Sequence, residues 1–516
     1  MLKKKSIVLL SLLILTTVFL LFTGQPEKKV GANSSFAYGA DIGWMTQLED
    51  EGVRWIDHNN QIEDPLQILK NNGIDSVRLR VFVDPPNDFY WLKDGETWTM
   101  LGYNDKQGVL YAAQRAQALG MRIMVDFHYS DVFADPAFQV KPTGWSNYNF
   151  NQLEEAVYNH TYDVMNELAQ HNIYPEWVQV GNEINSGVLL PDGSINHFNQ
   201  LSKLLNKGYN AVKDVNPSAK VITHLANGTN NAEFRWWFDN FFAEGGKTDI
   251  IGVSFYPYWE GKPYWELTDA LKYNLTDISS RYNKEVMVVE IGGEEDNPID
   301  TYWTIYDTIK LVENIPNNKG VGVFYWEPLA HSSVLPDNYA LGATNAIGNN
   351  TLQLSPAISA FKDASTSNEP ITNLIENSSF EEDWATQSPT GWSTWSNGND
   401  DANFTEAGGF TGNYRLSHWK NSDYQVSTYQ IKTNLDNGNY TLQAAVKSSG
   451  GYKVSQMYVK NFGGIEKNIQ IPTTNEWTQL SITNIEVING QAEIGFWTDG
   501  YAGNWINVDD VVFYKN

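Results

Sequence analysis

Trp177-Val178-Gln179-Val180-Gly181-Asn182-Glu183-Ile184-Asn185 begins as an alternating, β-branched run and stops at Gly-Asn-Glu. Such a run predicts a buried strand, and the break places a carboxylate at the strand's end. Glu183 is therefore read as a catalytic acid. Hydrolysis by carboxyl groups generally takes two of them. Val286-Met287-Val288-Val289-Glu290 supplies a second strand that ends on a glutamate.

Working outward from Glu183, strand-like and helix-like segments alternate from Phe36 onward. Eight strands are predicted: Phe36 to Ile42, Ser76 to Val83, Arg122 to His128, Trp177 to Glu183, Lys220 to His224, Ile250 to Tyr256, Glu285 to Glu290 and Gly322 to Trp326. Helical spacing separates them, as at Lys106 to Leu119, Leu153 to His171, Asn196 to Val215 and Tyr302 to Glu313. Gly120 ends the first of these helices as a C-cap. Eight β/α units read as an α/β fold, a (β/α)8 TIM barrel with long loops. Chemistry in this fold sits at the C-terminal ends of the strands, and the polar residues fall there: Asp41, Arg78, Arg80, His128, Glu183, Tyr256, Glu290 and Trp326.

The 516-residue chain is too long for one ordinary core. The barrel is placed at residues 33–362, and a polar, helix-breaking run at 363–370 reads as a linker. Residues 371–516 hold short strands rich in Thr, Tyr, Val and Trp with Asn-Gly and Gly-Gly turns, which predict an all-β jelly-roll sandwich. Residues 1–32, with three lysines before an apolar run from Ile7 to Phe22, read as a signal peptide cut before Asn33. Export follows, with an uncleaved N-terminal anchor as the alternative. No stable membrane insertion is expected after cleavage. A net charge of -26 argues against nucleic acid, because phosphate backbones are held by clustered Lys and Arg. The absence of cysteine excludes disulfides, thiolate metal sites and cysteine nucleophiles. Nineteen tryptophans, many in polar surroundings, suit surfaces on which sugars stack. A monomer is expected.

Strands four and seven lie across such a barrel from each other, so Glu183 and Glu290 can face one cleft. Retaining glycoside hydrolysis needs carboxyl groups roughly 5–5.5 Å apart, one nucleophilic and one cycling between acid and base. Glu183 is assigned as acid/base and Glu290 as nucleophile. Glu294 and Glu295 compete for the latter role, but sit beyond the strand in a glycine-rich loop. The nucleophile must stay ionised, and an arginine beside it favours that form. Arg78 and Arg80 share one face of the second strand; Arg78 is preferred for this role and Arg80 is read as structural. Tyr256 is expected to donate to the nucleophile, Asn182 to bond the sugar 2-hydroxyl, and Trp326 to stack on the sugar at the cleavage point. Trp259 would extend that platform. His128 lacks a partner at zinc spacing, so it is read as a sugar-binding or supporting histidine, with a core histidine as the alternative. Asp41 completes the predicted substrate-binding set.

Several stretches together resemble glycoside hydrolase family 53, the endo-β-1,4-galactanases. They are Gly39-Ala40-Asp41-Ile42, Val77-Arg78-Leu79-Arg80-Val81, Asp126-Phe127-His128-Tyr129-Ser130-Asp131, Val178 to Glu183, Gly252 to Trp259, Val288-Val289-Glu290 and Phe324-Tyr325-Trp326-Glu327-Pro328. The resemblance spans residues 36 to 362. It implies a clan A barrel that cleaves β-1,4-galactan, the side chains of pectin, with retention, and it places Glu183 and Glu290 on the acid/base and nucleophile positions. Ile291-Gly292-Gly293-Glu294-Glu295 and Leu329-Ala330-His331-Ser332-Ser333 depart from the family's loops, which shape the subsites. The same barrel acting on mannan or xylan is the nearest alternative, and a non-catalytic sugar-binding barrel is the other.

The C-terminal region resembles jelly-roll carbohydrate-binding modules, family 61 most nearly. Asn373 to Glu381 looks like their opening and Val508 to Tyr514 like their closing strand. Trp392, Trp395, Trp419, Trp497 and Trp505 are the candidate stacking residues, some of which must be core. No cofactor is expected for catalysis. Such modules often hold a structural calcium, for which Glu381 and Asp509 could supply oxygen ligands.

Overall fold

The computed structural model describes residues 36–57, 60–93, 95–348, 350–366, 373–410 and 412–515. The signal segment, its cleavage site and residues 367–370 of the linker lie outside the described residues.

All eight strands form: β1 (Ala37–Asp41), β2 (Ser76–Val81), β3 (Arg122–Phe127), β4 (Trp177–Val180), β5 (Lys220–Leu225), β6 (Ile250–Phe255), β7 (Glu285–Ile291) and β8 (Gly320–Tyr325). They close in chain order into a parallel barrel, β8 pairing back onto β1. Both faces of such strands are buried, which explains their nearly unbroken apolar character. Outward residues such as Val253 and Val288 join the large core beneath the helices. Inward residues at the lower end, among them Ala37, Met124, Trp177, Met287 and Phe324, fill the barrel itself. That filling is tight: a Cβ on Gly39 would stand 2.1 Å from the Phe324 ring. Toward the C-terminal ends the inward positions turn polar, through Asp41, Arg78, Asp126, Gln179, His224 and Ser254, all buried.

The helix Lys106–Ala118 is capped by the Asp105 carboxylate on the Gly108 N–H and ends at Gly120 with φ +70°. The next helix, Phe150–Gln170, starts three residues before Leu153 because Asn149 and Gln152 form a reciprocal capping box. A hairpin, Tyr90–Lys93 with Thr97–Met100, follows β2. The last barrel helix, Ser359–Thr366, continues past Phe361 into the run read as linker. Its polar composition is overridden by packing: Ala364 is buried, and Asp363 accepts the Tyr302 hydroxyl at 3.0 Å. Among the described residues no helix is long and apolar enough to cross a membrane.

The C-terminal region is a sandwich of two five-stranded antiparallel sheets. One contains Ser393–Ser396, Tyr424–Thr433, Gln491–Gly500, Val454–Lys460 and Lys467–Gln470, in that spatial order. The other contains Asn403–Ala407, Tyr414–Trp419, Trp505–Lys515, Gly438–Ser448 and Thr474–Val487. Alternate residues of both sheets, such as Leu442, Val446, Met457, Phe496 and Phe513, meet in its core.

Candidate active site

Glu183 owes its position to a sharp turn directly after β4. Gly181 has φ +85° and Glu183 itself φ +45°, a left-handed conformation that costs a non-glycine residue on the order of 1–2 kcal/mol. The turn is fixed from behind. Asn182 Nδ2 donates to the Ala134 carbonyl at 2.8 Å, and Gln139 Nε2 to the Asn182 carbonyl at 2.8 Å. The half-buried Glu183 carboxyl thereby faces the cleft, with Oε1 accepting the Ser254 hydroxyl at 2.6 Å.

Glu290 reaches the same cleft through an irregularity in β7. Met287 and Val289 point into the barrel and Val288 points out, so strict alternation would send Glu290 outward. The ladder to β6 instead pairs Val253 with Val288 and then Ser254 with Glu290, one extra residue having entered β7. This bulge re-aims the glutamate inward. Its Oε1 lies 3.0 Å from an Arg78 Nη2, and its Oε2 accepts the Tyr256 hydroxyl at 3.1 Å.

A network of buried charge supports the pair. Arg78 also contacts Asp41 and Asp126, each at 2.8 Å, and the Asn182 Oδ1 at 2.8 Å. Arg80 bridges Asp41 at 2.8 Å and Glu327 at 2.6 Å, beneath the rings of Phe133, Trp44 and Trp326 at 4.9, 5.3 and 5.5 Å. Burial pushes both cleft carboxyls up from the ordinary carboxylate range, and the Arg78 guanidinium opposes that shift. The donors decide where the charge of that pair rests. Glu290 takes a guanidinium N–H and a phenol O–H, whereas Glu183 takes one serine hydroxyl and faces the negative Asp135. Charge-assisted bonds are roughly twice as strong as neutral ones, so these donors favour the charge on Glu290 and the proton on Glu183.

The cleft has a volume of about 680 Å³ and is lined by Glu183, Glu290, Asn182, His128, Tyr256, Trp259 and Trp326, all read from sequence. Trp326 packs edge-on to Trp44 and Tyr339, both at 4.9 Å, and Trp259 is 66% exposed at the rim. Asp41 and Arg78 do not line it. Both are fully buried, and the Asp41 carboxylate is held by Arg78, Arg80 and the Gly43 N–H, so it supports the site from below. His128 has both ring nitrogens engaged, Nε2 with Asp126 at 3.0 Å and Nδ1 with the Ala134 N–H at 2.9 Å; it offers a ligand its ring edge. Asn182 uses Oδ1 and one amide hydrogen internally, which leaves one N–H for the cleft. Glu294 and Glu295 do not line it. Glu295 is not loosely held either, since it accepts the hydroxyl and the N–H of Ser332 and so ties the loop after β7 to the loop after β8.

Sequence reasoning missed Ser254 and the hairpin residues Trp91 and Lys93, which line the cleft, and His224, Gln179 and Asp126, which bond the lining residues Ser254, Asn182 and His128 from behind. Tyr339, which lines the cleft against Trp44 and Trp326, was missed as well; its hydroxyl is buried and has no partner among the described residues. Ser254 and His224 carried a signal, because both lie at inward positions near the ends of β6 and β5.

In the sandwich, Trp395 and Trp497 stand side by side at 5.5 Å in a groove of about 490 Å³, opposite the Tyr458, Lys460 and Glu493 side chains. Trp392 is no surface residue: it packs on Phe380 at 5.3 Å in the core, with its Nε1 donating to the Asn377 carbonyl. Trp419 and Trp505 pair across neighbouring strands of the other sheet. Glu381 accepts the N–H groups of Asn413 and Tyr414, and Asp509 that of Phe410. Among the described residues no group of three or more His, Cys, Asp or Glu could hold a metal.

Comparison with known proteins gives the following. The family model described as Glycosyl hydrolase family 53 matches residues 37–361. An arabinogalactan endo-beta-1,4-galactanase of Humicola insolens is 36% identical over 311 residues, 56% of this chain and 88% of that one. The GH53 catalytic domain of Ignisphaera aggregans is 30% identical with a TM-score of 0.55, covering 65% of this chain and 98% of that chain. The structure of TmCBM61 in complex with beta-1,4-galactotriose covers 28% of this chain and 99% of that chain, at 22% identity and a TM-score of 0.25. The family model spans most of the chain and all eight barrel strands, from the start of β1 to the helix after β8; this chain belongs to glycosyl hydrolase family 53.

Proposed function

We propose that the chain is a secreted endo-β-1,4-galactanase that cleaves its polymer with retention, Glu290 acting as nucleophile and Glu183 as acid/base. The observation that carries this reading is the unlike surroundings of two glutamates in one cleft. Glu290 is held ionised by Arg78 and Tyr256, while Glu183 keeps a proton in an apolar and partly negative environment. In the first step Glu290 attacks the anomeric carbon as Glu183 protonates the glycosidic oxygen, and the leaving chain departs as an alcohol. In the second, Glu183 as carboxylate takes a proton from water, which releases the sugar from Glu290 with its configuration restored. Trp326 forms the floor at the cleavage point and Trp259 the rim of a neighbouring subsite. The galactanase activity of the Humicola insolens relative supports galactan as substrate. The Trp395–Trp497 groove suits a second sugar contact that keeps the enzyme on polymer.

Reducing-sugar release from linear β-1,4-galactan, compared with xylan and mannan, tests the substrate. Release from xylan or mannan but not from galactan overturns it. Azide tests the roles: Glu290→Ala should yield a glycosyl azide of inverted configuration, and Glu183→Ala one of retained configuration. Products with these configurations exchanged would reverse the assignment.

A further inference from the structure

We propose that Ser254 and His224 are positioning residues that fix the catalytic proton on the cleft-facing oxygen of Glu183. The inference rests on the reading of Glu183 as acid/base.

The direction of the hydrogen bonds follows from groups with only one option. The backbone N–H of Glu183 can only donate, and it points at His224 Nδ1 at 3.3 Å. Gln179 Nε2 also approaches Nδ1, at 2.9 Å; its orientation is set because its Oε1 faces Arg78 at 3.3 Å. Nδ1 also stands 3.0 Å from the Asn182 Oδ1, but that oxygen already accepts from Arg78 Nη2 at 2.8 Å and Gln179 Nε2 at 3.0 Å, whereas the Glu183 N–H has no other acceptor among the described residues. Nδ1 is therefore an acceptor and the ring hydrogen sits on Nε2. The ring is fully buried and neutral, since desolvation and the nearby Arg78 both oppose a positive charge there.

Nε2–H lies 2.8 Å from the Ser254 Oγ, so the serine receives this hydrogen bond. Its own hydrogen is then directed to its other partner, Glu183 Oε1 at 2.6 Å. An oxygen that accepts from Ser254 cannot also hold a proton toward it. Because the carbonyl oxygen of a carboxylic acid is the better acceptor, this bond favours Oε1 as the carbonyl and Oε2 as the site of the acid proton. When that proton passes to the glycosidic oxygen and the C–O bond breaks, Ser254 and His224 keep theirs, and the hydroxyl then stabilises the new carboxylate. The charged groups that act on Glu183 are Asp135, Arg78 and Asp126, none of which replaces the hydroxyl at Oε1.

The test uses the full chain and aryl β-1,4-galactobiosides of graded leaving group. Ser254→Ala should lose about tenfold in kcat/KM on a phenyl glycoside, part of the 10²–10⁴ that general acid catalysis supplies. On a dinitrophenyl glycoside, whose departure needs no proton, the loss should be under about threefold by the same reasoning, and that rate also reports folding. The basic limb of the pH profile should move up, because a donor to the carboxylate is gone. Ser254→Thr should recover most of the phenyl glycoside rate. Equal slowing of both substrates with the basic limb in place would overturn the proposal. If Ser254→Ala does not fold, Ser254→Cys, a weaker donor, must show the same pattern at smaller size or the proposal fails. Glu183→Ala separates the two layers: without a strong leaving-group dependence of its own, the acid/base assignment falls instead.

Discussion

Tyr256→Phe removes one hydroxyl and nothing else from the site. That hydroxyl donates to Glu290 Oε2 at 3.1 Å, and burial together with the charge of Glu290 keeps it a neutral donor far above the ordinary phenol range. A hydrogen bond to a charged acceptor contributes about 1.5–3 kcal/mol. One pKa unit corresponds to about 1.4 kcal/mol, so the loss is worth roughly 1–2 units. The sign is upward, because the lost donor favoured the ionised form. The acid limb of kcat/KM on linear galactan should therefore move up by about 1–2 pH units. Arg78, still 3.0 Å from Oε1, keeps Glu290 ionisable, so a plateau should remain at higher pH. Initial rates from pH 3 to 9, read as reducing ends, measure both limbs. The basic limb, set by Glu183, should stay within a few tenths of a unit. An acid limb that does not move, or a shift confined to the basic limb, would refute the assignment of the charge to Glu290.

Gly39→Ala forces a methyl against the Phe324 ring at the base of the barrel and should destabilise the catalytic domain by about 1–3 kcal/mol, read from denaturant unfolding. Trp395→Ala and Trp392→Ala should separate surface from core. The first should weaken retention on galactan about tenfold, or about 1.4 kcal/mol, without moving Tm; the second should cost about 3–5 kcal/mol of sandwich stability. His418, enclosed between Thr428 and Thr498, is pushed down to about 3 by burial. Its contribution to stability is complete above its unfolded pKa near 6.5 and is lost as the pH falls toward 3, at up to about 1.4 kcal/mol per pH unit. His418→Gln should flatten that part of the stability profile, and an unchanged slope would show that another group controls it.

The fold was legible because parallel strands buried on both faces leave continuous apolar runs, and eight of them alternate with helical spacing. Local edges were less so. The Asn149–Gln152 capping box starts a helix earlier than its apolar periodicity does, and Ser359–Thr366 runs through residues whose composition resembles a linker. Position at a strand's end identified Glu183, Glu290, Tyr256 and Trp326 as cleft residues. The same rule overreached at Asp41, which lies below the cleft, because it says where a residue sits along the barrel and nothing about which partners occupy its polar atoms. Ser254 and His224 escaped notice for the opposite reason: neither carries a charge, and their importance lies only in which atoms they face.

Both cleft glutamates depend on backbone irregularity rather than on the regular strand. Glu183 stands in a left-handed turn, and Glu290 faces inward only because β7 holds one residue more than β6 at that point. Glu327, which anchors Arg80 under Trp326, is left-handed as well, with φ +53°. A regular barrel would alternate these side chains between cleft and helix layer, and a one-residue slip would remove a carboxylate from the cleft altogether. The buried bonds from Asn182, Gln139, Arg78 and Arg80 to neighbouring loops and strands are what hold the irregular geometry. It follows that substitutions at Gln139, Arg78 and Arg80, buried residues that do not line the cleft, should damage turnover more than substitutions at the exposed rim around Trp259.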